Sequence, residues 1–179
     1  MYPKIGIWGP TRVGKTTLII EAIKNKIPTW TRLGSDLIRL NEVLITSQKN
    51  YLKMEPLEME HRSWEDTFNY FFKINQSFIY EGNFLKKYLQ TEPTDYYEVH
   101  PPSSKNVLLL PPKDVYESRY LLGNVNHWGN TNNGKPNMEQ SYSKYKQLNK
   151  IYKFDLVIKE NLSPKDLLDF IINKFELRI

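Results

Sequence analysis

Near the start of the chain, Gly9, Gly14, Lys15 and Thr16 fall in the order Gly-x-x-x-x-Gly-Lys-Thr. Residues of these types at this spacing can hold a polyphosphate. Glycine lets the backbone approach an anion closely, and successive N–H groups of such a loop turn towards it. A helix that starts at the lysine aims the positive end of its dipole at the same point. Lys15 adds a full charge, and the Thr16 hydroxyl offers an oxygen to Mg²⁺. This is the P-loop, or Walker A, pattern. It nominates Gly9, Thr11, Arg12, Val13, Gly14, Lys15, Thr16 and Thr17 as nucleotide-binding residues.

Such a loop works only between a strand and a helix. Ile5 and Ile7 alternate as in a short strand, while Leu18, Ile19, Ala22 and Ile23 repeat at helical spacing. The motif therefore sits where a first strand hands over to a first helix.

Further elements follow in alternation. "IPTWTRLGSD" supplies a second strand, and Leu37, Leu40, Val43 and Leu44 then form a helical stripe. Trp64, Phe68, Phe71 and Phe72 form another, read as core. "QSFIYEG" reads as a buried strand ending at Glu81, and "KNVLLLPP" as an inner strand stopped by two prolines. "KDVYESRYLLG" restarts a helix, and "NVNHWGNTNNGKPN" reads as a mobile loop. Tyr142, Tyr145, Leu148 and Tyr152 line one helix face before a last strand in "KFDLVIK". Ser163 and Pro164 then open the final helix as N-cap and first helical residue. Strands alternating with helices predict a three-layer α/β/α P-loop NTPase fold. Its five-stranded sheet should be mainly parallel, with ligands at the carboxyl ends of the strands.

The 179 residues are read as one domain, 1–179, with a lid segment at about 119–150. The chain has no cysteine, which leaves no disulfide framework and no thiolate zinc site. His61, His100 and His127 lack ligand spacing. No apolar run approaches the ~18 residues of a membrane span, and no signal peptide opens the chain, so a cytoplasmic protein is expected. The net charge of +5 is concentrated. Arg119, Lys135, Lys144, Lys146, Lys150 and Lys153 face one acid, Glu139, and the rest of the chain is balanced. That basic 119–153 segment leaves nucleic acid open as a partner, beside its reading as a solvated helix face.

A P-loop names a nucleotide but no reaction. A GTPase would carry a guanine-reading Asn-Lys-x-Asp. "NKIY" at Asn149 begins that motif and places Tyr152 where its carboxylate should stand. The order of the remaining segments resembles the nucleoside and nucleotide kinase branch of P-loop proteins. That branch includes nucleoside-monophosphate kinases, polynucleotide 5′-kinases and zeta-toxin-like kinases. "GSDLIR" resembles the acceptor-facing segment after the second strand, "IYEGNF" the third-strand end, and "PPKDVYESRYLLGN" the entry to the lid. "FDLVIKENLSPKDLLDFI" resembles the last strand and helix.

The resemblance implies an ATP- and Mg²⁺-dependent kinase acting on a nucleoside, nucleotide or similar small acceptor. Lys15, Asp36 and Arg119 are then the catalytic residues, Asp36, Arg39 and Glu81 face the acceptor, and Thr16 and Glu81 hold the metal. Asp36 is a general base for a hydroxyl acceptor or, alternatively, a helix cap. Arg119 is a lid arginine or a helix-surface partner of an acid. Arg12 stacks on the base or faces solvent. Asn124 stands where a second lid arginine is common, and no arginine follows Gly82 closely, which favours an acceptor with a hydroxyl or an unusual base. Two other readings remain: a kinase acting on nucleic acid, and a nucleotide-binding switch without transfer.

Overall fold

A computed structural model describes residues 2–27, 29–31, 77–81, 104–122 and 135–177. Their elements are β1 (Lys4–Trp8), α1 (Lys15–Lys24), β2 (Thr29–Thr31), β3 (Phe78–Glu81) and β4 (Ser104–Leu109), followed by α2 (Lys113–Leu122), α3 (Lys135–Ile151), β5 (Leu156–Ile158) and α4 (Pro164–Phe175). The Leu37–Leu44 and Trp64–Phe72 stripes lie outside the described residues.

The strands form one sheet in the order β2-β3-β1-β4-β5. Every pairing is parallel. The mainly parallel five-stranded sheet read from the sequence is thus parallel throughout. β1 pairs with β3 on one side and β4 on the other, with Gly6 opposite both Tyr80 and Asn106. Because side chains alternate, one face of the sheet carries Ile5, Ile7, Ile79, Val107 and Leu109. These join Leu18, Ile19 and Ala22 of α1 and Leu167, Leu168 and Ile171 of α4 in one apolar cluster. Each such leucine or isoleucine contributes about 1.5–3 kcal/mol by leaving water. The opposite face buries Trp8, Phe78, Tyr80 and Leu108. A sheet buried on both faces is the layered α/β architecture that parallel strands require.

That second face also holds a polar bridge. Trp8 Nε1 donates to Asn106 Oδ1 at 2.9 Å, and Asn106 Nδ2 donates to the Tyr152 hydroxyl at 3.0 Å. The Asn106 backbone N–H donates to Asp155 Oδ2 at 2.8 Å, tying β4 to the chain entering β5.

The helix ends follow local chemistry. Ser163 caps α4 by accepting from the Asp166 N–H, with Pro164 in the first turn. α3 begins at Lys135, inside the stretch read as loop. Proline in a first turn removes an N–H that has no helical partner anyway, so Pro136 does not delay the start. Met138, Tyr145 and Leu148 of α3 are buried. Among the described residues, no helix is long and apolar enough to cross a membrane.

Candidate functional site

β1 ends at Trp8 and runs directly into the loop. Gly9 adopts φ 152°, and a Cβ there would meet the Leu109 carbonyl oxygen at 2.7 Å. Gly14 adopts φ 111° as the N-cap of α1, and a Cβ there would project into open space. The two glycines therefore serve different needs. Gly9 lets the loop pass β4, and Gly14 leaves open space at the N-terminus of α1. Gly14 supplies no side-chain cap, so the first-turn N–H groups of α1 and the positive end of the helix dipole are left for another acceptor.

Lys15 is half-buried, and its ammonium folds back on the loop. Its Nζ donates to Gly9 O and to Pro10 O, each at 2.8 Å. Burial pulls its pKa below the ordinary lysine value, and the Glu81 carboxylate opposes that shift. Glu81, the last residue of β3, pairs in register with Ile7 of β1 and so ends beside the P-loop. Thr16 is half-buried and Thr17 exposed in the first turn of α1. A threonine hydroxyl and a carboxylate are hard oxygen donors of the kind Mg²⁺ takes alongside nucleotide phosphates and water, so Thr16 and Glu81 fit that ion.

The remaining loop residues are bound to α2 and α3. Arg12, at φ 63°, sits with its guanidinium 4.6 Å from the Tyr120 ring centroid and donates to Tyr120 O at 3.2 Å. That stacking and hydrogen bond offset the strain of a left-handed non-glycine residue. Val13 is buried, and its carbonyl accepts from Arg119 Nη1 at 3.2 Å. Arg119 Nη2 reaches the other way, to Asn161 Oδ1 and the Leu162 carbonyl, joining the P-loop to the β5–α4 connection. A shallow recess beside Arg119 is walled by Leu109, Pro111, Ile158 and Leu162. Thr11 donates its N–H to Ser141 Oγ at 2.9 Å and accepts from the Tyr116 hydroxyl at 3.0 Å.

The structure thus brings Lys15, Thr16, Glu81 and Arg119 to the carboxyl end of the sheet. Asp36 and Arg39 lie outside the described residues. Sequence reasoning did not find Ser141 and Tyr116, which meet the loop across more than a hundred residues and belong to no motif. Tyr145 was legible only as part of a helix face. It is buried, and its hydroxyl bonds the Gly9 backbone near Glu81. Burial and the Glu81 charge push its pKa up.

Solved structures share this fold. Shikimate kinase from Aquifex aeolicus vf5 is similar over 97% of this chain and 96% of its own, at 13% identity and a TM-score of 0.54. Deoxyadenosine kinase from M. mycoides with bound dATP is similar over 97% and 99%, at 16% identity and a TM-score of 0.54. A gluconokinase from Sinorhizobium meliloti 1021 is similar over 97% and 91%, at 10% identity and a TM-score of 0.51. The chain has the fold of these P-loop kinases. No family model matches it, and no curated protein sequence does. The likeness to the P-loop kinases therefore extends over nearly the whole chain at the level of the backbone, and the motif at Gly9–Thr16 is the part of it visible in the residues.

Proposed function

We propose that this chain is an ATP- and Mg²⁺-dependent phosphotransferase acting on a nucleoside, nucleotide or similar small acceptor. The observation that carries this reading is the meeting of open space at Gly14 with Lys15, the first residue of α1, and Glu81, the last residue of the neighbouring strand β3. Whole-chain likeness to three kinases of small molecules supports it.

In the proposed reaction the first-turn N–H groups of α1 and the Gly14 backbone bind the α- and β-phosphates. Lys15, with two N–H groups on the loop carbonyls of Gly9 and Pro10, offers its third to the β- and γ-phosphates as a charge-assisted bond. Thr16 and Glu81 hold Mg²⁺, which neutralises phosphate charge when bound. Arg119, tied to the P-loop through Val13, gives up a neutral partner to neutralise charge on the transferring group. With a hydroxyl acceptor, the new P–O bond forms as the bond to the ADP leaving oxygen breaks, and Asp36 takes the hydroxyl proton.

The test is transfer of labelled γ-phosphate from Mg-ATP to nucleosides, nucleoside monophosphates, sugars, and 5′-hydroxyl DNA and RNA, with Asp36→Asn in parallel. Labelling of a small molecule, lost in Asp36→Asn, supports the reading with Asp36 as base. Labelling of DNA or RNA alone replaces the small acceptor with nucleic acid. Nucleotide binding with no transfer leaves a switch and overturns the enzyme reading.

A further inference from the structure

The Pro10–Thr11 peptide of the P-loop is gripped at both ends. Its carbonyl, Pro10 O, accepts from Lys15 Nζ at 2.8 Å, and its N–H, on Thr11, donates to Ser141 Oγ at 2.9 Å. The next carbonyl, Thr11 O, accepts from the Tyr116 hydroxyl at 3.0 Å. Thr11 is thus clamped by its N–H on Ser141 of α3 and by its carbonyl on Tyr116 of α2. Tyr116 is wholly buried and stacks on Tyr142 of α3, with ring centroids 5.2 Å apart, so the clamp stands on a packed base.

The consequence lies at Lys15. A peptide plane can turn over at little covalent cost when nothing holds its N–H, and turning this one would present an N–H to the ammonium in place of Pro10 O. Ser141 opposes that rotation from the far side of the same plane. Arg12, left-handed and pinned on Tyr120, fixes the residue that follows. We infer that Ser141 and Tyr116 are positioning residues. By fixing the Pro10–Thr11 and Thr11–Arg12 peptides, they hold the Lys15 ammonium at the end of the loop where the terminal phosphate binds. The inference rests on the nucleotide reading above and adds to it two residues from α2 and α3 that act through Lys15.

Lysine in a P-loop reaches the β- and γ-phosphates, so a misplaced Lys15 should harm ATP more than ADP. The experiment is calorimetric titration of Mg-ATP and of Mg-ADP into wild type, Ser141→Ala, Ser141→Thr and Tyr116→Phe, and the Ser141→Ala/Tyr116→Phe double variant. Ser141→Ala should weaken Mg-ATP about tenfold, the loss of one well-placed hydrogen bond, and Mg-ADP much less. Ser141→Thr should stay near wild type because it keeps the hydroxyl. Tyr116→Phe should follow Ser141→Ala, and the double variant should lose less than the sum of the two, since both side chains clamp the same residue, Thr11. If Ser141→Ala does not fold, Tyr116→Phe carries the same comparison. Unchanged nucleotide affinities, or equal loss of ATP and ADP affinity in both Ser141 variants, would overturn the inference and leave the P-loop reading intact. A wild type that binds neither nucleotide would overturn both.

Discussion

Gly9 runs so close to Leu109 that a Cβ on the glycine would sit 2.7 Å from the Leu109 carbonyl oxygen, whereas a Cβ on Gly14 would meet nothing within 4 Å. The contrast separates fold from function within one motif. Gly9→Ala must push backbone against backbone next to β4. It should lower the melting temperature markedly, by more than the ~1 kcal/mol of an unfavourable φ alone. Gly14→Ala carries the φ penalty without the clash and places a methyl group in the open space. It should lose at least about tenfold in Mg-ATP affinity with a smaller loss of stability. Thermal melts and calorimetry on the two variants check this. A Gly14→Ala protein that binds Mg-ATP like wild type would mean that the open space is not the phosphate cradle.

Lys15 gives a pH dependence whose sign is fixed. Burial lowers its pKa from the ordinary 10.5, with Glu81 acting the other way. Between the lowered value and 10.5 the unfolded chain binds more protons at this site than the folded one, so its contribution to stability rises with pH across that window. Wild type should therefore gain on Lys15→Met as pH rises towards 10.5, compared as the difference in melting temperature. Glu81→Gln should lower the Lys15 value further and widen the window. A difference that stays flat with pH would contradict the enclosed ammonium.

Asn106 supplies a control away from the phosphate site. It accepts from Trp8 and donates to Tyr152 on the sheet face opposite α1, so truncation strands a buried indole N–H. Asn106→Ala should cost about 1–3 kcal/mol in denaturant unfolding while leaving the Mg-ATP dissociation constant unchanged. A large loss of nucleotide affinity would tie this network to the site after all.

The features legible in the sequence were those encoded locally. The P-loop is a contiguous motif, β1, β3, β4 and β5 are short apolar runs, and the α4 cap is written in Ser163 and Pro164. The strand order is not local. It depends on which apolar runs pair, and only the structure places β1 between β3 and β4. The clamp of Ser141 and Tyr116 on Thr11 is invisible in the sequence for a related reason. A serine or tyrosine on a helix carries no sequence signal until another segment's backbone arrives beside it, here from more than a hundred residues away. Arg12 packs on Tyr120, a contact that its place in the motif does not announce. Its left-handed backbone sets that direction, and residue type alone does not reveal it.

The central claim is that the Gly9–Thr16 loop binds nucleotide phosphates through Lys15. Its most direct test is the melting temperature of wild type and Lys15→Ala with and without Mg-ATP. At a hundredfold excess over the dissociation constant, wild type should gain about 2.7 kcal/mol of stability, and Lys15→Ala should lose most of that gain. An undiminished shift in Lys15→Ala, or no shift in wild type, would contradict it.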